Sequence, residues 1–296
     1  MKMRKSVIAL FLLPAGLMYL AFMLLPTIWA FYFSAFDWSG FNTKMKFVGL
    51  KNYIQLMRDH LFLSSLRNTL VILLLGGAII FLLTFVITVL INSGVRGKKF
   101  FRAMIFLPNV IATVALATLW TFIYNSSFGL LHGFFKLIGL VQLSQITWTD
   151  SDKIFYACLI AIIWINVGFQ LVLIMAGVDK IPFEFFEAAK VEGASQFQMF
   201  TRITVPMTWD VISVAFVLWS ISALKMFEFV YAFGGTVNLP DSLYTIGIYL
   251  YVMGFGQRTP IYRLGYATAI GVLLLLSVVI IVALIRRLTR RESLSY

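Results

Sequence analysis

Six stretches of this chain, near residues 8–34, 70–91, 104–124, 154–177, 207–233 and 264–285, are apolar over lengths that match a membrane. A helix needs about 20 apolar residues to cross the hydrocarbon core. Inside lipid every backbone N–H and C=O must be bonded within the protein, so each stretch is expected to be a helix rather than an open strand. Composition agrees, since charged residues are 12% of the chain, about half the roughly 25% of a soluble domain. The expected fold is an all-α membrane protein with six transmembrane helices, forming one domain over 1–296.

Two apolar segments carry interruptions. Phe106-Leu107-Pro108-Asn109 puts a proline and an amide near the start of the third stretch, where proline kinks or begins a helix. The segment from Phe128 to Leu140 is too short to span and holds Gly129, Gly133 and Gly139, so it is expected to be a re-entrant or surface helix.

Charge sets the expected orientation. With the N-terminus inside, fourteen Lys and Arg residues fall in cytoplasmic pieces, among them Lys2, Arg4, Arg290 and Arg291, against nine outside, including Arg258. This asymmetry favours both termini in the cytoplasm, with external loops at about 35–69, 125–153 and 234–263. It also accounts for the net charge of +12. Nucleic acid is not implied, because the aromatic residues sit in the apolar spans rather than among the basic ones. Lys2, Arg4 and Lys5 before an apolar run imitate a secretion signal. That run exceeds the usual core of about 7–15 residues and no small-x-small site ends it, so an uncleaved first span is expected.

Catalytic and metal chemistry find no constellation. Cys158 is the sole cysteine, which excludes an intrachain disulfide. His60 and His132 are isolated and read as solvated surface residues. Asn92-Ser93-Gly94-Val95-Arg96-Gly97-Lys98-Lys99 fails as a phosphate loop at both ends, where Gly and Ser or Thr are required. Any ATPase driving this chain must be a separate protein.

Ionisable residues inside spans are costly and default to functional candidates. Lys225 and Glu228 qualify, at i and i+3 on the expected fifth helix, where they could pair with each other; Asp210 lies near that helix's end. Trp219, Ser222, Ala223 and Met226 fall on one face of the fifth span, and Asn166, Phe169 and Gln170 form a mixed face on the fourth. Such flat apolar and neutral polar groups suit a sugar ring and its hydroxyls. Interhelical hydrogen bonding accounts for them equally well.

The longest polar run between two spans is Glu187-Ala188-Ala189-Lys190-Val191-Glu192-Gly193, followed by Ile203-Thr204-Val205-Pro206. Pro182 can open a helix, Gly193 can end it in the left-handed conformation, and a second helix with Phe197, Phe200 and Ile203 on one face should follow. An interfacial connector is one reading of this helix–hinge–helix, and a docking element for a cytoplasmic partner is the other.

The run resembles the cytoplasmic coupling loop of ABC importer permeases, with the pattern Glu-Ala-Ala, three residues, Gly, nine residues, Ile-x-Leu-Pro. Every fixed position is matched except the leucine, here Val205; the usual Asp before the glycine is Glu192. The resemblance extends along most of the chain and narrows to the maltose-type first permease subunit. It is carried by Phe47-Val48-Gly49-Leu50-Lys51-Asn52-Tyr53, Asn68-Thr69, Phe106-Leu107-Pro108, Trp120, Phe128-Gly129-Leu130-Leu131, Trp164, Ile181-Pro182, Phe227-Glu228, Gly234-Gly235, Pro240, Tyr249, Phe255, Tyr262 and Gly265-Tyr266-Ala267. The family usually follows the double glycine at once with proline, whereas here Thr236 to Leu239 intervene.

The resemblance implies the type I ABC importer permease fold in a bacterial cytoplasmic (inner) membrane. It implies a second homologous permease, two ATP-binding subunits and an extracellular or periplasmic sugar-binding protein as partners, with ATP and Mg held by the ATPase and no cofactor in this chain. The loop 178–206, with Glu187, Ala188, Ala189, Gly193 and Pro206, would couple to the ATPase. Asn166, Phe169, Gln170, Trp219, Ser222 and Met226 would line the substrate pathway, and Lys225 with Glu228 would form an intramembrane ion pair. The alternatives are an ion-coupled secondary transporter, which need not carry a coupling loop, and an ABC permease for another solute such as glycerol phosphate. A phosphate would favour arginine in the cavity, and none falls in a span core.

Overall fold

The computed structural model describes residues 5–93, 95–235, 239–257, 259 and 261–289, with side chains from Phe11 onward. Lys2, Arg4, Arg258, Arg290 and Arg291, which entered the charge count, and Thr236, Val237 and Asn238 after the double glycine lie outside the described residues. The described residues are mostly helical. Among them four helices are long and apolar enough to cross a membrane: α1 (Phe11–Ser34), α3 (His60–Asn92), α7 (Ile154–Val178) and α13 (Leu264–Thr289). Two further spans are bent pairs, giving up to six if each pair crosses once. One pair is α4 (Lys98–Val110) with α5 (Thr113–Ile123), bent by 99°. The other is α9 (Gln196–Met207) with α10 (Trp209–Leu224), bent by 77°.

Both bends have local causes. After Pro108, Ile111 and Ala112 adopt extended ψ values of 140° and 134°, so the backbone leaves the helix before α5 begins. In α9 the residues Phe200–Thr204 form a π turn, with the Val205 N–H bonded five residues back to the Phe200 carbonyl. That widened turn lies just ahead of Pro206, whose ring cannot donate into a regular ladder. Thr208 then breaks the helix at φ −106°, ψ 14°. The fifth span therefore differs from the continuous helix expected over 207–233. It stops at Leu224, passes through Lys225, Met226 and Phe227 without helical structure, and resumes as α11 (Glu228–Gly234).

Contacts group the chain into two units: 1–63 with 249–276, and 64–248 with 277–296. In the first, strands β1 (Phe36–Asp37) and β2 (Lys46–Phe47) pair antiparallel, Phe36 opposite Phe47. Asn52, on α2 (Lys51–Leu56), is buried and donates its Nδ2 to the carbonyls of Ser34 (2.8 Å) and Phe36 (3.0 Å), while Tyr53 Oη donates to Ser34 Oγ at 2.7 Å. These bonds satisfy carbonyls released where α1 ends. Gly265 is required by space, since a Cβ there would lie 2.1 Å from the Phe36 carbonyl oxygen.

Asp59 is the centre of this unit. One carboxylate oxygen accepts from the N–H groups of Leu61 (3.0 Å) and Phe62 (3.3 Å), capping α3. The other accepts the hydroxyls of Tyr249, on α12 (Ile246–Phe255), and Tyr266 (2.8 Å). Burial pushes the Asp59 carboxyl upward, but the two tyrosines and two backbone donors outweigh it and hold its pKa below the ordinary carboxylate value. Folding stability from such a lowered group is fully present above the unfolded pKa of about 3.9 and is lost as pH falls through the folded value.

In the second unit α7 is the central helix, with fifteen buried residues. Gly168 lets α4 touch it backbone to backbone, because a Cβ would sit 2.2 Å from the Ile105 carbonyl oxygen. Asn68 Nδ2 donates to the carbonyls of Ser242 and Tyr244, and Thr69 Oγ1 accepts the Ile246 N–H at 3.0 Å. The segment around Gly133 is the short helix α6 (Leu130–Leu137), with no buried residue. His132 is not merely solvated: its Nδ1 shares a 2.8 Å hydrogen bond with the Ser144 carbonyl.

Asp59→Ala should remove the α3 cap and strand two tyrosine hydroxyls, lowering stability by about 1–2 kcal/mol. Thermal unfolding in detergent measures this. The wild-type acid limb below pH 4 should flatten in the variant.

Candidate functional site

Two features assembled within the second unit draw on the residues singled out by sequence. The first is α8 (Phe183–Val191) and the turn that ends it. Gly193 has φ +76°; its N–H bonds the Lys190 carbonyl (3.0 Å), and the Ala194 N–H bonds the Ala189 carbonyl (2.9 Å). This is a Schellman cap, which needs the left-handed residue that glycine supplies at least cost. Ser195 then opens α9 with a capping box closed by Gln198. Glu187, Ala188 and Gly193 are exposed, Ala189 and Pro206 half-buried, and Val191 is 88% exposed. Phe200 packs against Phe85, at 5.7 Å between ring centroids. Phe197 does not join the expected buried stripe. It is 69% exposed, because α9 begins only at Gln196 and changes to π register at Phe200.

The second feature is a cavity of about 600 Å³ lined by both helix breaks. From α4 and α5 come Pro108, Asn109, Ile111 and Thr113; from α7 come Ile165 and Asn166; from the end of α10 and the break beyond it come Ser222, Lys225, Met226, Phe227 and Glu228. Asn166 Nδ2 donates to the Ile162 carbonyl at 2.7 Å, and Asn109 Nδ2 donates to the Ile165 carbonyl at 2.9 Å. The Met226 carbonyl, released by the break, accepts the Thr245 hydroxyl at 2.7 Å. The cavity thus presents amide and hydroxyl groups beside Phe227 and Met226, with one cation and one carboxylate.

Asn166, Ser222 and Met226 are brought together here, while three other expected pathway residues are not. Trp219 is 2% exposed, with its Nε1 donating to the Leu73 carbonyl at 2.9 Å. That carbonyl lies in the π turn Ile72–Gly76, and a Cβ on Gly77 would fall 2.3 Å from the indole nitrogen. Trp219 thus sits buried against Gly76-Gly77 and away from the cavity. Gln170 is buried, its Oε1 without a partner among the described residues. Phe169 is 40% exposed and does not line the cavity. The expected Lys225–Glu228 pair is also corrected, because the helix ends between them and no ion pair joins them. Both instead line the cavity. Asn109, missed at first, had a readable signal in Pro108-Asn109 at a span's start.

Residues 80–293 match the family described as binding-protein-dependent transport system inner membrane component. A probable ABC transporter permease protein of Pyrococcus horikoshii is 33% identical, covering 93% of this chain and 92% of that one. The chain belongs to this family. A diacetylchitobiose uptake system permease protein of Streptomyces coelicolor is 30% identical over 90% of this chain and 77% of its own length. A bacterial ABC transporter structure involved in import of the acidic polysaccharide alginate superposes with a TM-score of 0.82 at 23% identity, covering 98% and 97% of the two chains. The protein has the ABC importer permease fold and is a transport component rather than an enzyme.

Gly77→Ala should force the Trp219 indole off the Leu73 carbonyl, at a cost of about 1–3 kcal/mol. Trp219→Ala should lower thermal stability and yield while leaving sugar selectivity unchanged. A Trp219→Ala protein of normal stability with altered selectivity would return Trp219 to the pathway.

Proposed function

We propose that this chain is one half of the membrane pathway of an ATP-driven oligosaccharide importer, coupled to a separate ATPase through α8. The observation that carries the reading is connectivity. The loop 178–206 joins α7 directly to α9 and α10, so the exposed α8 hangs between helices that line the cavity. A force on α8 reaches both cavity walls through short covalent paths. Gly193 fixes the exit of α8, and Glu187 is the exposed polar contact for an ATPase groove.

The cavity chemistry favours a neutral sugar. Asn166 and Ser222 offer hydroxyl partners, Phe227 and Met226 offer apolar faces, and Lys225 and Glu228 bring opposite charges, so a polyanion gains no net attraction. The diacetylchitobiose relative supports a sugar ligand. A second, related permease, two ATP-binding subunits and an extracellular sugar-binding protein complete the assembly; a solved relative of this fold is an alginate ABC transporter in complex with a pentasaccharide-bound periplasmic protein. Both chain termini face the cytoplasm of a bacterial inner membrane, where the basic residues are concentrated.

Proteoliposomes holding the whole complex should import radiolabelled maltotriose or diacetylchitobiose only with internal ATP and external binding protein. Asn166→Ala with Ser222→Ala should change the preference between the two sugars several-fold, at about 0.5–1.5 kcal/mol per lost hydrogen bond, while stimulated hydrolysis persists. Gly193→Val, which meets no neighbour but must hold φ +76°, should cut uptake at an unchanged binding-protein affinity for sugar. Uptake driven by an ion gradient without ATP would instead establish a secondary transporter. Orientation is read separately. In a Cys158-free background, cysteines at 97 and 293 should resist external maleimide and one at 45 should react; a reactive 293 would overturn the topology.

A further inference from the structure

Arg102 and Asp179 form a paired contact that the reading above does not use. Arg102 Nη1 donates to Asp179 Oδ2 at 2.6 Å and Nη2 donates to Oδ1 at 3.0 Å, a two-pronged ion pair between α4 and the end of α7. Arginine's planar fork fixes direction as well as distance in such a pair. Asp179 terminates α7, its N–H bonded to the Met175 carbonyl, and only Lys180, Ile181 and Pro182 separate it from α8. The Arg102 Nε is buried without a partner among the described residues, while the Asp179 side chain is 56% exposed, so the pair lies at the surface of this chain. Six residues beyond Arg102, about 9 Å at 1.5 Å per residue, α4 delivers Pro108 and Asn109 to the cavity wall. Gly168 keeps α4 against α7 on the way, and Asn109 anchors it to the Ile165 carbonyl.

We infer that the Arg102–Asp179 pair is a strut that carries the displacement of α8 into the broken α4–α5 segment. Arg102 is a positioning residue, acting on the cavity through Pro108 and Asn109 rather than touching sugar. This inference rests on α8 being the coupling segment. The covalent path from α8 reaches α7 and, through α9, α10; the ion pair fastens the start of α4 to the end of α7 nearest α8, beyond the contacts at Gly168 and Asn109 that already join the two helices. A purely structural pair would stabilise the fold without making the cavity wall respond to nucleotide.

The test places a spin label at Val191, on α8, or at Val110, at the far end of α4, in a Cys158→Ala background of the reconstituted complex. Val191 and Val110 are 88% and 71% exposed in this chain, so a label at either displaces no neighbour within it. Trapping with ATP and vanadate should change the spectra at both positions in the wild type. In Arg102→Gln and in Asp179→Asn the Val191 response should persist while the Val110 response is lost. Uptake of maltotriose or diacetylchitobiose per ATP hydrolysed should fall about five-fold or more, the lower end of usual coupling between sites. The double variant should be no worse than either single, as one interaction requires. Arg102→Lys guards against misfolding: it keeps the charge, loses the fork and should give an intermediate Val110 response at wild-type thermal stability. A Val110 response retained in both single variants, or additive losses in the double, would overturn the strut. A wild-type label at Val191 that ignores nucleotide would instead remove the coupling role of α8, and the strut with it.

Discussion

A backbone carbonyl freed at a helix break in an apolar surrounding must find a donor from elsewhere in the protein, and this requirement organises the structure. Several interruptions are closed by a side chain reaching from another element. The Leu73 carbonyl, in the π turn of α3, takes the indole N–H of Trp219; the Met226 carbonyl takes the hydroxyl of Thr245. Asn68 bridges the Ser242 and Tyr244 carbonyls around the turn before α12, and Asn52 does the same for Ser34 and Phe36. Without these donors the breaks would each leave an uncompensated dipole, and unbroken helices would be favoured.

Much of this was legible in the sequence, for a physical reason. Membrane-length apolar runs leave helix as the sole solution for an unpaired backbone, so the spans near 154–177 and 264–285 matched α7 and α13 closely. Gly193 was readable because a left-handed cap needs glycine and leaves a polar helix before it. The resemblance motifs turn out to be pins: Asn52, Tyr53, Asn68, Thr69, Tyr249 and Tyr266 all bond across elements. Their partners are backbone carbonyls, a backbone N–H, a hydroxyl and a carboxylate distant in sequence, which no local pattern announces.

The errors share a cause. Helical periodicity placed Trp219, Ser222 and Met226 on one face, but Trp219 turns into the double glycine of α3 and Met226 lies beyond the end of α10. Lys225 and Glu228 fall on one expected helix because the stretch 207–233 is apolar over the length of a span. The break there is met by Thr245, just ahead of α12, and Gly247, in its first turn, so it is tertiary rather than local. A period of 3.6 applies only while the helix continues.

The two breaks also bear on how a rigid bundle can change shape. Regular helices resist deformation because every i→i−4 bond must be kept, and packed cores move between discrete arrangements rather than continuously. Around this cavity the walls at 111–112 and 225–227 are already outside the helical ladder, beside single donors such as Asn109 and Thr245. A small rotation of α4 or α10 then costs a few side-chain hydrogen bonds instead of a run of backbone ones. The opposite charges at Lys225 and Glu228 flank one of these joints, unpaired with each other in this conformation. Closing the joint would bring attraction between them, and opening it would expose both to water in the cavity. The proposed ligand site and the joint beside it are therefore built from the same interrupted backbone.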